Sequence, residues 1–190
     1  MDEISHEVMV REGDPRAFNF GNHIQVRIFP YEFQEKKILS DGTILEQGDL
    51  FGELYFTRNQ ELLPKGNVDE SAALLYRDFL IGMVEISKSI DSGEMGSIKA
   101  IHGMTSLRRR RSERLGFEVE DLDSRITKLG IALMAVGHSS ENGEPGNFFQ
   151  KLKAKYNQTH QIWISAANLK VNRDFYEERL KAFNVSGKIP

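Results

Sequence analysis

The chain has 190 residues, a formal net charge of −3 and no cysteine. This length suits one domain, and the lack of cysteine excludes disulfide bonds and thiolate metal sites. A charge so close to neutral argues against bulk electrostatic binding of nucleic acid, and no apolar run is long enough to span a bilayer. The N-terminal residues are polar and carry no signal-peptide pattern, so we expect a cytoplasmic protein.

The first predicted elements are strands joined by tight turns. Apolar and polar residues alternate over residues 24–28, which indicates a half-buried strand, and Pro30 places that strand at a sheet edge or bends it. The Asp-Gly pair within Ser40–Thr43 is typical of a hairpin, because glycine accepts the positive φ of a tight turn. Residues 50–57 are rich in apolar and aromatic side chains and predict a central strand. We therefore expect an antiparallel meander over residues 24–57.

The longest predicted helix covers residues 68–92. Its apolar residues recur at helical spacing and form one wide face, which must pack against a sheet. Gly93 ends the helix. Residues 98–101 are nearly all apolar, which indicates a buried strand. We expect the exit of this strand, over residues 102–106, to face an open hollow.

A short basic helix is predicted after this strand. Thr105 or Ser106 can cap it, and Gly116 ends it. A helix N-terminus that follows a strand is a favourable anion site, so we name Thr105, Ser106 and Arg108 as candidate cofactor-binding residues. The four arginines Arg108–Arg111 could contact an anion or a nucleic acid. The alternative is a solvated helix whose arginines are neutralised by acidic neighbours. Aromatic residues that could stack on the bases of a single-stranded nucleic acid do not alternate with the arginines.

The C-terminal part of the chain supplies further helices and one strand. The apolar stretch 129–136, which ends at Val136, predicts a buried helix, and the alternative is a shallow contact with a membrane or a partner. Residues 148–156 predict a short amphipathic helix and residues 161–166 a strand. Asn172 can cap a last helix. Together the elements predict an α+β fold with a mixed, mainly antiparallel sheet and the long helix packed on one face.

Three side chains are candidate catalytic groups. Glu53 and Tyr55 are two positions apart on the predicted central strand, so they share one face and could act as base and acid. Asp49, just before that strand, is a second candidate for the base. His102 lies at the end of the buried strand, where ligands often bind. The alternative for the residues of the central strand is a solvated edge or a structural hydrogen-bonded pair. For His102 the alternative is a partly buried histidine beside a capped helix, and the five scattered histidines have no metal-ligand spacing.

The turn and strand motifs resemble those of the YkoP-like domain. The motifs that carry the resemblance occur in the same order and spacing, at Ser40–Thr43, Gly103–Leu107 and Leu115–Val119. The resemblance covers residues 24–136, which would form the core of a single domain over residues 1–190. Residues 1–22 would then be a polar lead-in, and residues 148–190 a C-terminal helix–strand–helix extension. YkoP-like domains occur alone in Bacillus-type bacteria or appended to polysaccharide deacetylases, and no activity is assigned to them. The resemblance is compatible with a non-catalytic or ligand-sensing accessory domain, and the absence of known catalytic motifs favours this function; its ligand would be a small molecule.

The order of the predicted elements is also similar to that of GNAT acyltransferases. In that family two neighbouring strands splay apart to admit acyl-CoA, and a glycine-rich loop at a helix N-terminus binds its pyrophosphate. This second resemblance implies an atypical acyltransferase with acyl-CoA as cofactor. The segment before the long helix, residues 57–67, is long and has only Gly66 near the helix, so it lacks the usual cofactor loop.

Overall fold

The computed structural model describes residues 16–56, 68–105, 107–122 and 148–186. They form an α+β fold with a mixed sheet, as the sequence predicts. The strands are β1 (Ala17–Phe20), β2 (Ile24–Pro30), β3 (Lys37–Ile38), β4 (Ile44–Leu45), β5 (Leu50–Phe56), β6 (Ile98–Thr105), β7 (Glu118–Asp121) and β8 (His160–Ser165). The helices are α1 (Val68–Asp91), α2 (Arg109–Arg114), α3 (Phe148–Gln158), α4 (Ala166–Val171) and α5 (Arg173–Ser186).

Six strands form the main sheet, in the order β1-β2-β5-β6-β8-β7. The pair β5–β6 is parallel and the other pairs are antiparallel, so the sheet is mixed and mainly antiparallel. Helix α1 connects the two parallel strands, because parallel neighbours need a crossover. Strands β3 and β4 form a separate two-stranded hairpin, in which Gly42 has the positive φ of 85° that its turn requires.

Helices α1 and α4 cover one face of the sheet, α5 packs against α1, and the three helices form the main hydrophobic core with the sheet. Alternate residues of β2, β5, β6 and β8 point into this core. The backbone of α1 lies so close to β2 that a Cβ on Gly82 would be 2.5 Å from Ile24 Cδ1. Helix α1 confirms the predicted long helix, and Gly93, with φ of 76°, follows its end. No helix in the described part of the chain is long and apolar enough to cross a membrane.

The predicted antiparallel meander is wrong. Strand β2 pairs directly with β5, because the intervening β3–β4 hairpin is too short to fill a place in the main sheet. Strand β2 is also not an edge strand, since β1 pairs with its other side. Pro30 is tolerated because it is the last residue of β2, opposite Leu50. Strand β1 lies inside the segment, residues 1–22, that the sequence pattern describes as a polar lead-in.

The predicted capping of the basic helix is wrong for Thr105. Thr105 is the last residue of β6 and pairs with His160 of β8, so its backbone belongs to the sheet. Arg108 occupies the N-cap position of α2 without a side-chain cap, while Gly116 follows the helix as predicted. Ser106 and the apolar stretch that ends at Val136 lie outside the described residues.

Helix α4 is an element that the sequence pattern did not predict. It begins directly after β8, where Ser165 caps it by accepting a hydrogen bond from Asn168 N at 2.8 Å. Strand β8 itself confirms the predicted strand near residues 161–166. It lies between β6 and β7, so the segment after residue 148 supplies an interior strand of the sheet.

Candidate functional site

A row of polar and aromatic residues crosses the face of the sheet that is opposite α1. Each residue of this row is the register partner of the next one on the neighbouring strand. Register partners in a sheet point to the same face, so the five side chains lie side by side. We call this set the polar row; it consists of Arg27, Glu53, His102, Trp163 and Glu118.

Glu53 is hydrogen-bonded to the neighbouring residue on its own strand. Tyr55 donates its hydroxyl proton to Glu53 Oε2 at 2.5 Å, and both side chains are partly buried. Burial raises the pKa of Tyr55 far above its usual value, and the Glu53 carboxylate adds to this effect. The phenol therefore remains protonated at physiological pH and acts as a hydrogen-bond donor. The predicted shared face of Glu53 and Tyr55 is confirmed.

His102 lies next to Glu53 but does not form a close ion pair with it. The distance from His102 Nδ1 to Glu53 Oε1 is 3.8 Å, which is too long for a hydrogen bond. Burial lowers the pKa of His102 to about 4; the charge of Lys37 acts in the same direction, and the side chain of Gln161 opposes it. The imidazole is therefore neutral at physiological pH. The structure thus brings the three candidate catalytic residues together.

The ring of His102 packs on the indole of Trp163, with 4.3 Å between the ring centroids. Trp163 is 7% exposed and is the only tryptophan of the chain. Both rings carry a buried nitrogen, His102 Nε2 and Trp163 Nε1, that has no hydrogen-bond partner in the described part of the chain. By contrast, Nε2 of the buried His160 lies 3.2 Å from Ser112 Oγ. Two adjacent unpartnered nitrogens on one face are uncommon, because buried polar groups are nearly always paired.

Arg27 brings a buried positive charge to the end of the polar row. It is 5% exposed, and its Nε donates to Gln25 Oε1 at 3.2 Å. Gln25 in turn donates to Asn19 at 3.0 Å, and the Arg27 guanidinium lies over the Tyr55 ring, 5.9 Å from its centroid. Among the described residues, no carboxylate forms an ion pair with Arg27.

The β3–β4 hairpin covers the Trp163 end of the polar row. Its buried residues Leu39 and Leu45 belong to a second small apolar cluster, which includes Trp163. Lys37 forms an ion pair with Glu120 and lies over the Trp163 ring, 5.4 Å from its centroid. The hairpin is thus fixed on the sheet by an apolar contact and by an ion pair with β7.

Two further polar contacts fasten the turn of the hairpin. Ser40 donates from its backbone N and its Oγ to Glu118 Oε1, at 2.8 and 2.9 Å. Ser165 Oγ donates to Asp41 Oδ2 at 2.5 Å. Glu118 of the polar row is therefore already used by the hairpin, so the side chains left for a ligand are those of Arg27, Glu53, His102 and Trp163.

The other predicted site residues lie apart from the polar row. Asp49 accepts hydrogen bonds from Glu46 N and from Lys99, whose ammonium holds the pKa of Asp49 below its usual value. Thr105 Oγ1 accepts from Leu107 N at 3.1 Å, and Arg108 is exposed. The proposed anion site of Thr105, Ser106 and Arg108 therefore stays a prediction.

The basic helix lies on the surface beside β7. Arg109 donates to Val119 O at 2.9 Å and to Asp121 Oδ1 at 3.1 Å, so one of the four consecutive arginines is neutralised locally. Arg108, Arg110 and Arg111 are exposed. This arrangement agrees with a solvated helix and leaves contact with an anionic partner as a prediction.

The parallel pair β5–β6 ends in a fork. Its register ends at Leu54 and Gly103, although both strands continue for two more residues. In the fork, Tyr55 and Phe56 of β5 pair only with β2, whereas Met104 and Thr105 of β6 pair only with β8. The two strands therefore separate beside the Tyr55 end of the polar face.

Several residues of this site were not singled out from the sequence. Arg27 and Gln25 belong to a strand whose polar side was expected to be only half buried, and Trp163 was noted only as part of a strand. The alternation of residues in β2 places Gln25 and Arg27 on one face of the sheet. It does not determine which strand pairs beside them. Outside this site, the sequence pattern also does not indicate the buried pair His23–Asp78, with 2.5 Å between Nδ1 and Oδ2, which joins the start of β2 to α1.

The described residues contain no group of three or more histidine, cysteine or acidic side chains that could hold a metal ion. The family model described as the YkoP domain matches residues 9–171. This match is longer than the 24–136 stretch in which the sequence motifs occur, and it contains the whole polar row. No curated protein and no solved structure matches the chain.

Proposed function

The chain belongs to the YkoP domain family, and we propose that this member is a ligand-binding domain whose ligand lies on the polar row. The observation that carries the proposal is the pair of buried, unpartnered nitrogens, His102 Nε2 and Trp163 Nε1. A buried polar group without a hydrogen-bond partner lowers the folding stability by about 1–3 kcal/mol. Two neighbouring groups of this kind therefore indicate that a partner from outside the protein binds them. A ligand with hydrogen-bonding groups, bound on these rings, would be such a partner.

The chemistry of the row favours binding over catalysis. General acid–base catalysis works best when the pKa of the catalytic group lies near the working pH. Burial lowers the pKa of His102 to about 4 and raises that of Tyr55, so both groups are poor proton carriers at physiological pH. Both are, however, well suited to fixed hydrogen bonds. A neutral imidazole, an indole N–H and a carboxylate form a recognition surface for a small polar molecule.

The test is to identify small molecules that copurify with the protein. Native protein is purified gently, and the released molecules are compared by mass spectrometry between wild type, His102→Phe and Trp163→Phe. These substitutions keep an aromatic ring and remove its hydrogen-bonding nitrogens, so we expect ligand retention to fall about tenfold in each variant. Lys181→Ala, at an exposed position of α5, is the matched control and should retain the ligand.

Trp163 allows a second measurement on the same proteins, because its fluorescence reports on this site alone. A library of small metabolites is titrated against wild type and against His102→Phe. The proposal is wrong if nothing copurifies and no library compound changes the Trp163 emission or the melting temperature. It is also wrong if the bound molecule is retained equally by all three variants.

A second candidate function, an atypical acyl-CoA-dependent acyltransferase, is favoured by the fork between β5 and β6. Splayed parallel strands leave unpaired backbone groups, which an amide-containing cofactor can bind. The segment that would bind the pyrophosphate, residues 57–67, lies outside the described residues. The test is thermal: a large excess of acetyl-CoA should raise the melting temperature by mass action. An unchanged melting temperature with acyl chains of several lengths would exclude this candidate.

A further inference from the structure

We infer that the ligand of the polar row is an organic anion whose carboxylate or phosphate group binds Arg27. This inference rests on the proposed function and narrows it to a chemical class. It depends on a different observation from the one used above, namely a buried arginine at the other end of the row.

The burial of Arg27 is the first step of the argument. Its side chain is 5% exposed, and arginines are almost never so buried unless they are paired. Its hydrogen-bond and ring partners in the described chain are neutral: Nε donates to the amide oxygen of Gln25, and the guanidinium lies over the Tyr55 ring. A buried charge without a counter-ion is strongly unfavourable, so an anion is the expected missing partner.

The nearest candidate counter-ion within the described chain is Glu53, the register partner of Arg27. The Glu53 carboxylate is instead turned toward its other neighbours, because Oε2 accepts the Tyr55 hydroxyl at 2.5 Å and Oε1 lies 3.8 Å from His102 Nδ1. No ion pair between Arg27 and Glu53 forms. The outer nitrogens of the guanidinium are thus left for a group from outside the described chain.

The shape of the guanidinium fixes the class of the anion. It is planar and presents parallel N–H donors, which match the two oxygens of a carboxylate or a phosphate. Arg27 and Trp163 are three strand spacings apart, about 14 Å between their backbones. A ligand that also reaches the indole N–H would therefore be a molecule with the oxyanion at one end. The portion that crosses Glu53 would be neutral or a hydrogen-bond donor, since a second negative charge there would be repelled.

The experiment observes the side chain of Arg27 directly. Arginine Nε–H signals of the full chain, labelled with ¹⁵N, are recorded during titrations with inorganic phosphate, acetate, acetamide and chloride at constant ionic strength. The Arg27 signal is assigned by its absence in Arg27→Lys. We expect saturable shifts of this signal with phosphate or acetate in the millimolar range, and none with acetamide or chloride.

Arg27→Lys keeps the charge and loses the fork geometry, so we expect about tenfold weaker binding of the oxyanion. If that variant does not fold, the Arg27 signal of the wild type is assigned by through-bond correlation of its Nε–H to its backbone resonances, and the wild type alone decides the question, with the remaining arginine Nε–H groups as internal controls. Equal shifts with acetamide or chloride, or no saturable shift with either oxyanion, would overturn the inference. If neutral compounds nonetheless change the Trp163 emission, the ligand-binding proposal stands and only the anionic class fails.

Discussion

The neutral His102 predicts a specific loss of stability in mild acid. In the unfolded chain a histidine has a pKa of 6.5, whereas burial lowers the pKa of His102 to about 4 in the folded protein. Between these two values the unfolded state binds a proton that the folded state does not. The part of the folding stability that depends on a neutral His102 is therefore fully present above pH 6.5. It is lost as the pH falls toward 4.

The size of the effect follows from the two pKa values. At a pH of about 5 the unfolded chain is almost fully protonated at this position, and the free energy of unfolding is lower than at neutral pH by about 2 kcal/mol from His102 alone. The lost free energy reaches about 3 kcal/mol at the acid limit. Burial also lowers the pKa of His160, so the wild type should lose stability at two sites in the same pH interval.

The measurement is a series of urea unfolding curves between pH 7 and about pH 5, for wild type and His102→Gln. The variant cannot titrate at this position, so its stability should depend on pH less steeply than that of the wild type by about 2 kcal/mol over the interval. His160→Gln serves as the comparison, because it removes a second histidine whose pKa is lowered by burial. The reasoning is refuted if wild type and His102→Gln show the same pH dependence. An NMR titration of the His102 ring with its midpoint near the ordinary histidine value would refute it as well.

Three further predictions test other parts of the structure. Tyr55→Phe removes the donor to Glu53 and leaves a buried carboxylate less satisfied, so urea unfolding should show a loss of about 1–3 kcal/mol. Gly116→Ala forces a side chain onto a residue with φ of 86°, where a Cβ would also lie 2.5 Å from Asn172 Nδ2; we expect a loss of at least about 1 kcal/mol, and an unchanged melting temperature would contradict it. If the arginine run contacts nucleic acid, replacing Arg108–Arg111 by glutamine should lower the salt concentration at which the protein elutes from heparin and abolish RNA retention; unaltered RNA retention would exclude that function.

Elements that depend on local pattern could be predicted from the sequence. The helical spacing of apolar residues over six turns identifies α1, and the Asp-Gly pair identifies the β3–β4 hairpin. The period of two places Glu53 and Tyr55 on one face. These features need only the near neighbours in the chain, so one sequence is enough to find them.

Features that depend on strand pairing could not be predicted in this way. Alternation in β2 assigns Arg27 to a face, but only the register with β5 sets it beside Glu53. Likewise, His102 and Trp163 are far apart in the chain and meet because β8 pairs with β6. The polar row exists only through these non-local pairings. Two of its members, Glu53 and His102, could therefore be named from the sequence only as separate candidates, and the other three could not be named.

The position of β8 in the sheet has a consequence for the folding of the chain during its synthesis. One side of β6 and the whole of β7 pair with β8, which the ribosome makes later than either of them. Until residues 160–165 have emerged, the nascent chain presents open sheet edges, which are prone to associate with other chains. We expect stalled chains that end before His160 to be captured by chaperones and to be sensitive to protease, and chains released after α5 to be resistant.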